Sequence, residues 1–310
     1  MGNLFTMRKL EFEAQPKNQR PIIGILSQDS SEKFAKYGKS YIASSYVKYI
    51  ESAGARVVPI RIDLSKEELE SLFNSINGVL FPGGGASLSD SGYLRTAKMI
   101  YDLAIQANDK KDIFPMWGTC LGFELLNVLA SGLKTEELLV SCDAENYSIP
   151  LEFTGGCFGC FGNRMFGFAP EEVLKTLKQQ AVAFNMHKKC VPIEKFWATS
   201  SLAGFFDVLS TNKDKNGLRF ISTIEGKKYP IYGTQWHPEK FQFEWEPKEA
   251  ISHSTDAIVV GQYMANFFVK QARQSTHHFP SEEEEEKALI YQYNPLDTSK
   301  ESTFEQCYFF

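Results

Sequence analysis

The stretch PMWGTCLGFELL, residues 115–126, decides the fold. "IFPMWG" is a short apolar run that reads as a buried strand, and "LGFELLNVLASG" reads as the helix that follows it. At the corner between them Cys120 is framed by Gly118 and Gly122. A cysteine that only packs needs no flanking glycines. A nucleophile elbow, G-x-nucleophile-x-G, does: the glycines let strand and helix approach where a β-carbon would clash, and the nucleophile points off the end of the sheet. The start of the helix favours a thiolate at Cys120 and leaves the Leu121 N–H free to donate to an oxyanion.

Working outward, strands and helices alternate. "PIIGILSQ" and "ARVVPIRID" read as buried strands on either side of a helix in "SYIASSYVKYIESAG", with Ile42, Tyr46, Tyr49 and Ile50 on one face and Gly54 ending it. Ser65 and Glu68 form a capping box that opens a short helix. "NGVLFPGGG" is a third strand ending in glycines, and "GYLRTAKMIYDLAIQAND" is a helix with Leu94, Ala97, Ile100, Leu103 and Ala104 apolar. This pattern predicts an α/β fold, a mostly parallel central sheet with helices on both faces, whose sites gather beyond the carboxyl ends of the strands. Gly83 and Gly84 fall there, and either N–H is a candidate second oxyanion donor. Residues 140–230 are less regular; "LRFISTIEG" and "KKYPIYGTQW" read as adjacent strands. A helix follows through Val260, Tyr263, Met264, Phe267 and Phe268. The glutamate run near 282–286 reads as a solvated helix start without chemistry.

The elbow needs a base, and "YGTQWHPEK" offers His237 with Glu239 two residues on. His237 is positioned to take the thiol proton and return it to a leaving amine, with Glu239 orienting the imidazole. A Cys120–His237 ion pair is the expected resting state.

Composition excludes other classes. The net charge of −5 argues against nucleic acid as a partner. No apolar run reaches the roughly 18 residues of a membrane helix. The opening residues lack the apolar core of an export signal, and "MGNLFT" fits a loose myristoylation pattern at Gly2 and Thr6. Six cysteines in 310 residues are too few for a disulfide scaffold. Cys157 and Cys160 form one C-x-x-C in a glycine-rich loop with no second pair, so neither a metal nor another cofactor is expected. Residues 1–20 read as a poorly ordered extension and 21–310 as one domain.

"FPGGG", "WGTCLGFELL" and "GTQWHPEK" resemble the class I glutamine amidotransferase-like, flavodoxin-like fold. "RPIIGIL", "YIASSYVKYIESAGARVVPIRIDL" and "HHFPSEEEEEKALIYQYNP" bring the resemblance to the gamma-glutamyl hydrolase family. It implies a peptidase that cleaves gamma-linked glutamates from folylpoly-gamma-glutamates and antifolate polyglutamates through a thioester. Cys120 is then the nucleophile, His237 the base and acid, and Glu239 its partner. Tyr46 and His187 match residues near the family's substrate. A homodimer in lysosomes or outside cells is implied as well. The chain departs from the family at Glu152, where a glycosylation sequon with Thr154 is often found. Asn146-Tyr147-Ser148 is the one sequon present. The segment 157–162 is longer than usual. A glutaminase subunit supplying ammonia to a synthetase, or a non-catalytic binding protein of the same fold, are the competing readings; the retained cysteine and histidine speak against the last.

Overall fold

A computed structural model describes residues 15–156 and 162–310; Gly2, Thr6, Cys157 and Cys160 lie outside the described residues. Its strands are numbered along the chain. β1 (Ile22–Leu26) is buried throughout and pairs in parallel with β4 (Arg56–Ile60) and β5 (Val79–Phe81). β6 (Met116–Thr119) and β12 (Ile231–Thr234) continue the parallel run. β11 (Arg219–Gly226), β10 (Phe206–Lys213) and β8 (Glu152–Phe153) add antiparallel strands at one edge, giving the order β4-β1-β5-β6-β12-β11-β10-β8. Numbered among themselves, the parallel strands run 2-1-3-4-5, the flavodoxin-like order, with its switch point between β1 and β5.

Alternation within each strand builds two cores. Ile23, Ile25, Leu80, Trp117 and Tyr232 face one side, under the helices Ser44–Ser52 and Thr255–Ala272. Ile22, Leu26, Val79, Phe81, Met116 and Ile231 face the other, under Lys66–Phe73, Gly92–Asp109 and Leu121–Ser131. A period of two sends successive side chains to opposite faces, so a strand covered on both sides reads as a continuous apolar run.

Two smaller sheets flank the frame. β2 (Gln28–Asp29) and β3 (Ser40–Ala43) join β13 (Leu296–Asp297) and β14 (Gln306–Phe309) in the order β13-β14-β3-β2. β7 (Val140–Ile149) and β9 (Ala183–Cys190) form an antiparallel ribbon. Both correct the sequence reading. Ile42 belongs to β3, not to the helix, because residues 41–43 pair with β14 from the far end of the chain. The ribbon was illegible because its register shifts on both sides of Ala144, which breaks the alternation. Lys17 and Asn18, before the first strand, donate to the Arg273 carbonyl. Among the described residues no helix is long and apolar enough to cross a membrane.

Candidate active site

Three strand ends converge. Thr119 of β6 and Thr234 of β12 stand in register, and the next N–H, that of Cys120, donates to the Thr234 carbonyl at 2.8 Å. The chain then turns at Cys120 with φ 52° and ψ −106° and enters the helix Leu121–Ser131. Such a conformation is costly for a residue with a β-carbon and persists only where surroundings impose it. A β-carbon on Gly118 would lie 2.4 Å from the Gly122 carbonyl oxygen, and one on Gly122 would lie 2.0 Å from that of Phe81. Both glycines are therefore required by backbone contact, as the elbow reading expects.

Beyond β12, His237 is tied by its N–H to the Phe184 carbonyl of β9 at 2.9 Å. Its Nδ1 lies 2.7 Å from Glu239 Oε1, and both side chains are buried. His237 Nε2 has no hydrogen-bond partner among the described residues. Gly83, beyond β5, gathers the rest. A β-carbon there would stand 2.7 Å from the Tyr46 hydroxyl, 2.9 Å from His237 Cε1 and 3.0 Å from Cys120 Cβ.

The Gly83 N–H donates to the Tyr46 hydroxyl at 2.8 Å, so it is engaged rather than open to an oxyanion. Tyr46 is buried behind this turn, with its hydroxyl at Gly83 beside Cys120 and His237. Burial first, then the charges of Glu239 and Cys120, hold its phenol protonated. Gly84 keeps an N–H without an acceptor among the described residues and does line the cavity.

The cavity holds about 450 Å³ above Cys120. Leu121, Glu124, Met186, His187, Lys188 and Lys189 form much of its wall. The Cys120 thiol donates to the Met186 carbonyl at 3.8 Å. His187 is buried on β9, with Nδ1 2.8 Å from the Lys189 carbonyl and Nε2 3.1 Å from Asn185 Oδ1. Glu124 is buried one helical turn from Cys120 and accepts from Gln235 Nε2 at 3.1 Å. Burial pushes its carboxyl up to about 8, against the Gln235 hydrogen bond and the Lys189 charge. The same burial, with Glu124 and Glu239 nearby, pushes the Cys120 thiol well above its ordinary range. The Leu121 N–H does favour the thiolate, as the helix start suggests, but desolvation outweighs it.

The peptidase C26 family model matches residues 21–239, which contain every one of these side chains. The chain belongs to that family. Human gamma-glutamyl hydrolase is 51% identical over 94% of this chain and 90% of that protein. Gamma-glutamyl hydrolase B of Dictyostelium discoideum is 43% identical over 94% and 84%. Gamma-glutamyl hydrolase 1 of Arabidopsis thaliana is 38% identical over 90% and 79%. Membership in peptidase C26 makes the chain a hydrolase of the omega-peptidase class.

The cavity also brings to Cys120 residues that the sequence does not single out. Glu124 carried a usable signal, since a residue four beyond an elbow nucleophile shares its helical face. Met186, Lys188 and Lys189 carried none, because only the ribbon brings β9 to Cys120.

Proposed function

We propose that the chain hydrolyses gamma-glutamyl bonds of folylpoly-gamma-glutamates and antifolate polyglutamates through a thioester on Cys120. The observation that carries this reading is the convergence of Cys120 and His237 on Gly83, with Glu239 holding Nδ1 and Nε2 left open. Rotation of the thiol away from Met186 hands its proton to His237 Nε2 as sulfur attacks the gamma-carbonyl carbon. Glu239 stabilises the imidazolium. The tetrahedral oxyanion sits against the N–H groups of Leu121 and Gly84. Collapse breaks the C–N bond, and His237 returns the proton to the departing amine. Water, deprotonated by His237, then cleaves the thioester and restores the thiol.

Lys188 and Lys189 on the cavity wall suit a substrate that carries a free carboxylate on every residue. The names of the relatives support the bond type. A homodimer working in lysosomes or outside cells belongs to the same reading. Incubation with a pteroylpentaglutamate, followed by mass, tests it. Shortened pteroylglutamates with released glutamate or glutamyl peptides support it. Turnover of free glutamine to ammonia, with the pentaglutamate untouched, overturns it.

A further inference from the structure

Gln28 has no place in the steps above, yet it is a buried polar side chain packed on the glycine turn. It follows β1 at the switch point of the sheet and is 2% exposed. Its Nε2 donates to the Gly83 carbonyl at 2.6 Å, and its Oε1 accepts from the Ala86 N–H at 3.4 Å. A β-carbon on Gly84 would lie 2.1 Å from Oε1 and 2.4 Å from Nε2, so the amide fills the space that a side chain there would need.

The Gly83 carbonyl and the Gly84 N–H belong to one peptide group. In a planar trans peptide these two point in opposite directions. With a glycine on each side, that group turns over at little steric cost. A donor that clamps the carbonyl therefore fixes where the N–H points, namely away from Gln28. Tyr46 already occupies the Gly83 N–H, which leaves the Gly84 N–H as the free donor of the two.

We propose that Gln28 is a positioning residue: by holding the Gly83 carbonyl it aims the Gly84 N–H at the oxyanion formed over Cys120. The proposal rests on the thioester reading above. It also gives Gly84 a reason, since a β-carbon there would displace the Gln28 amide.

Gln28→Met keeps length and removes the donor; Gln28→Glu keeps the acceptor for Ala86 and, when ionised, removes the donor. Removing one oxyanion donor outright costs about 10² to 10³ in kcat. A donor left unclamped should cost part of that, roughly tenfold to a hundredfold in kcat, with KM within about threefold. A glutamyl aldehyde, which adds the thiol to form a tetrahedral hemithioacetal, should lose affinity by a similar factor. Alkylation of Cys120 by iodoacetamide passes through no oxyanion, so in Gln28→Met, which adds no charge beside the thiol, its rate should stay within about twofold of wild type, which also shows that the site is folded. A kcat within about threefold of wild type in both variants overturns the proposal. So does a parallel loss of kcat and alkylation rate in Gln28→Met, the mark of a merely structural role. Failure of the underlying reading looks different: Cys120→Ala would retain turnover whatever Gln28 does.

Discussion

His237 offers Nδ1 to Glu239 at 2.7 Å and keeps Nε2 free of any partner among the described residues. One nitrogen is fixed so that the other can work. His237→Asn should therefore lower kcat by several powers of ten, because every turnover passes protons through Nε2. Glu239→Gln should cost less, since an amide still accepts from Nδ1–H through its oxygen but supplies no charge to the imidazolium. Steady-state kinetics on a pteroylpentaglutamate measure both. A larger loss at Glu239 than at His237 would reverse the assigned roles.

Cys120→Ala should abolish hydrolysis and leave the fold intact, for the substitution removes one sulfur and adds no volume. The elbow conformation remains the property of Gly118, Gly122 and the Thr234 carbonyl. The expected signature is an unchanged thermal midpoint, retained binding of a polyglutamate and a rate several powers of ten lower. Residual activity within tenfold of wild type would rule out Cys120 as nucleophile.

Local chemistry made most of the frame readable. The helix Gly92–Asp109 and the Ser65–Glu68 capping box stand where the sequence puts them, because caps and apolar periodicity act over a few residues. The turn at Cys120 and the His237–Glu239 contact are legible for the same reason: each sits in a short stretch with its own chemical logic. What depended on distant partners was hidden. Nothing near Gly83 announces that Tyr46 takes its N–H from 37 residues away. Nothing near His187 announces a ribbon; the resemblance, not the local pattern of "FNMHKK", is what points to His187, and the structure puts it on the buried wall of the cavity.

Two buried carboxyls should tie stability to acid pH. Burial lifts Glu124 to about 8 and Glu244 to about 7. Both values lie above that of an unfolded glutamate, so the folded chain binds more protons than the unfolded one between about 4.3 and those values. The stabilisation is complete below that window and is lost as pH rises through it. Each unit of raised pKa corresponds to roughly 1.4 kcal/mol. The thermal midpoint should fall between pH 5 and pH 8, and Glu124→Gln together with Glu244→Gln should flatten the decline. An unchanged slope in the double variant would show that other groups control it.

The Cys120 thiol carries a pH signature of its own. A helix start alone would make Cys120 a thiolate paired with His237. The site works against this: burial first, then Glu124 and Glu239, raise the thiol, while the Leu121 N–H and Lys240 lower it by less. The thiol also spends its proton on the Met186 carbonyl. At rest it should be neutral, with transfer to His237 coupled to attack on bound substrate. Inactivation by iodoacetamide in the absence of substrate should then be slow from pH 5 to 7 and rise only above the ordinary thiol range near 8.5. Glu124 ionises at about 8, so over the range where the thiol titrates its charge opposes a thiolate. Glu124→Gln removes that charge and should move the rise to lower pH. A wild-type profile already at its plateau near pH 5 would demonstrate a resting ion pair with His237 and would refute the neutral thiol.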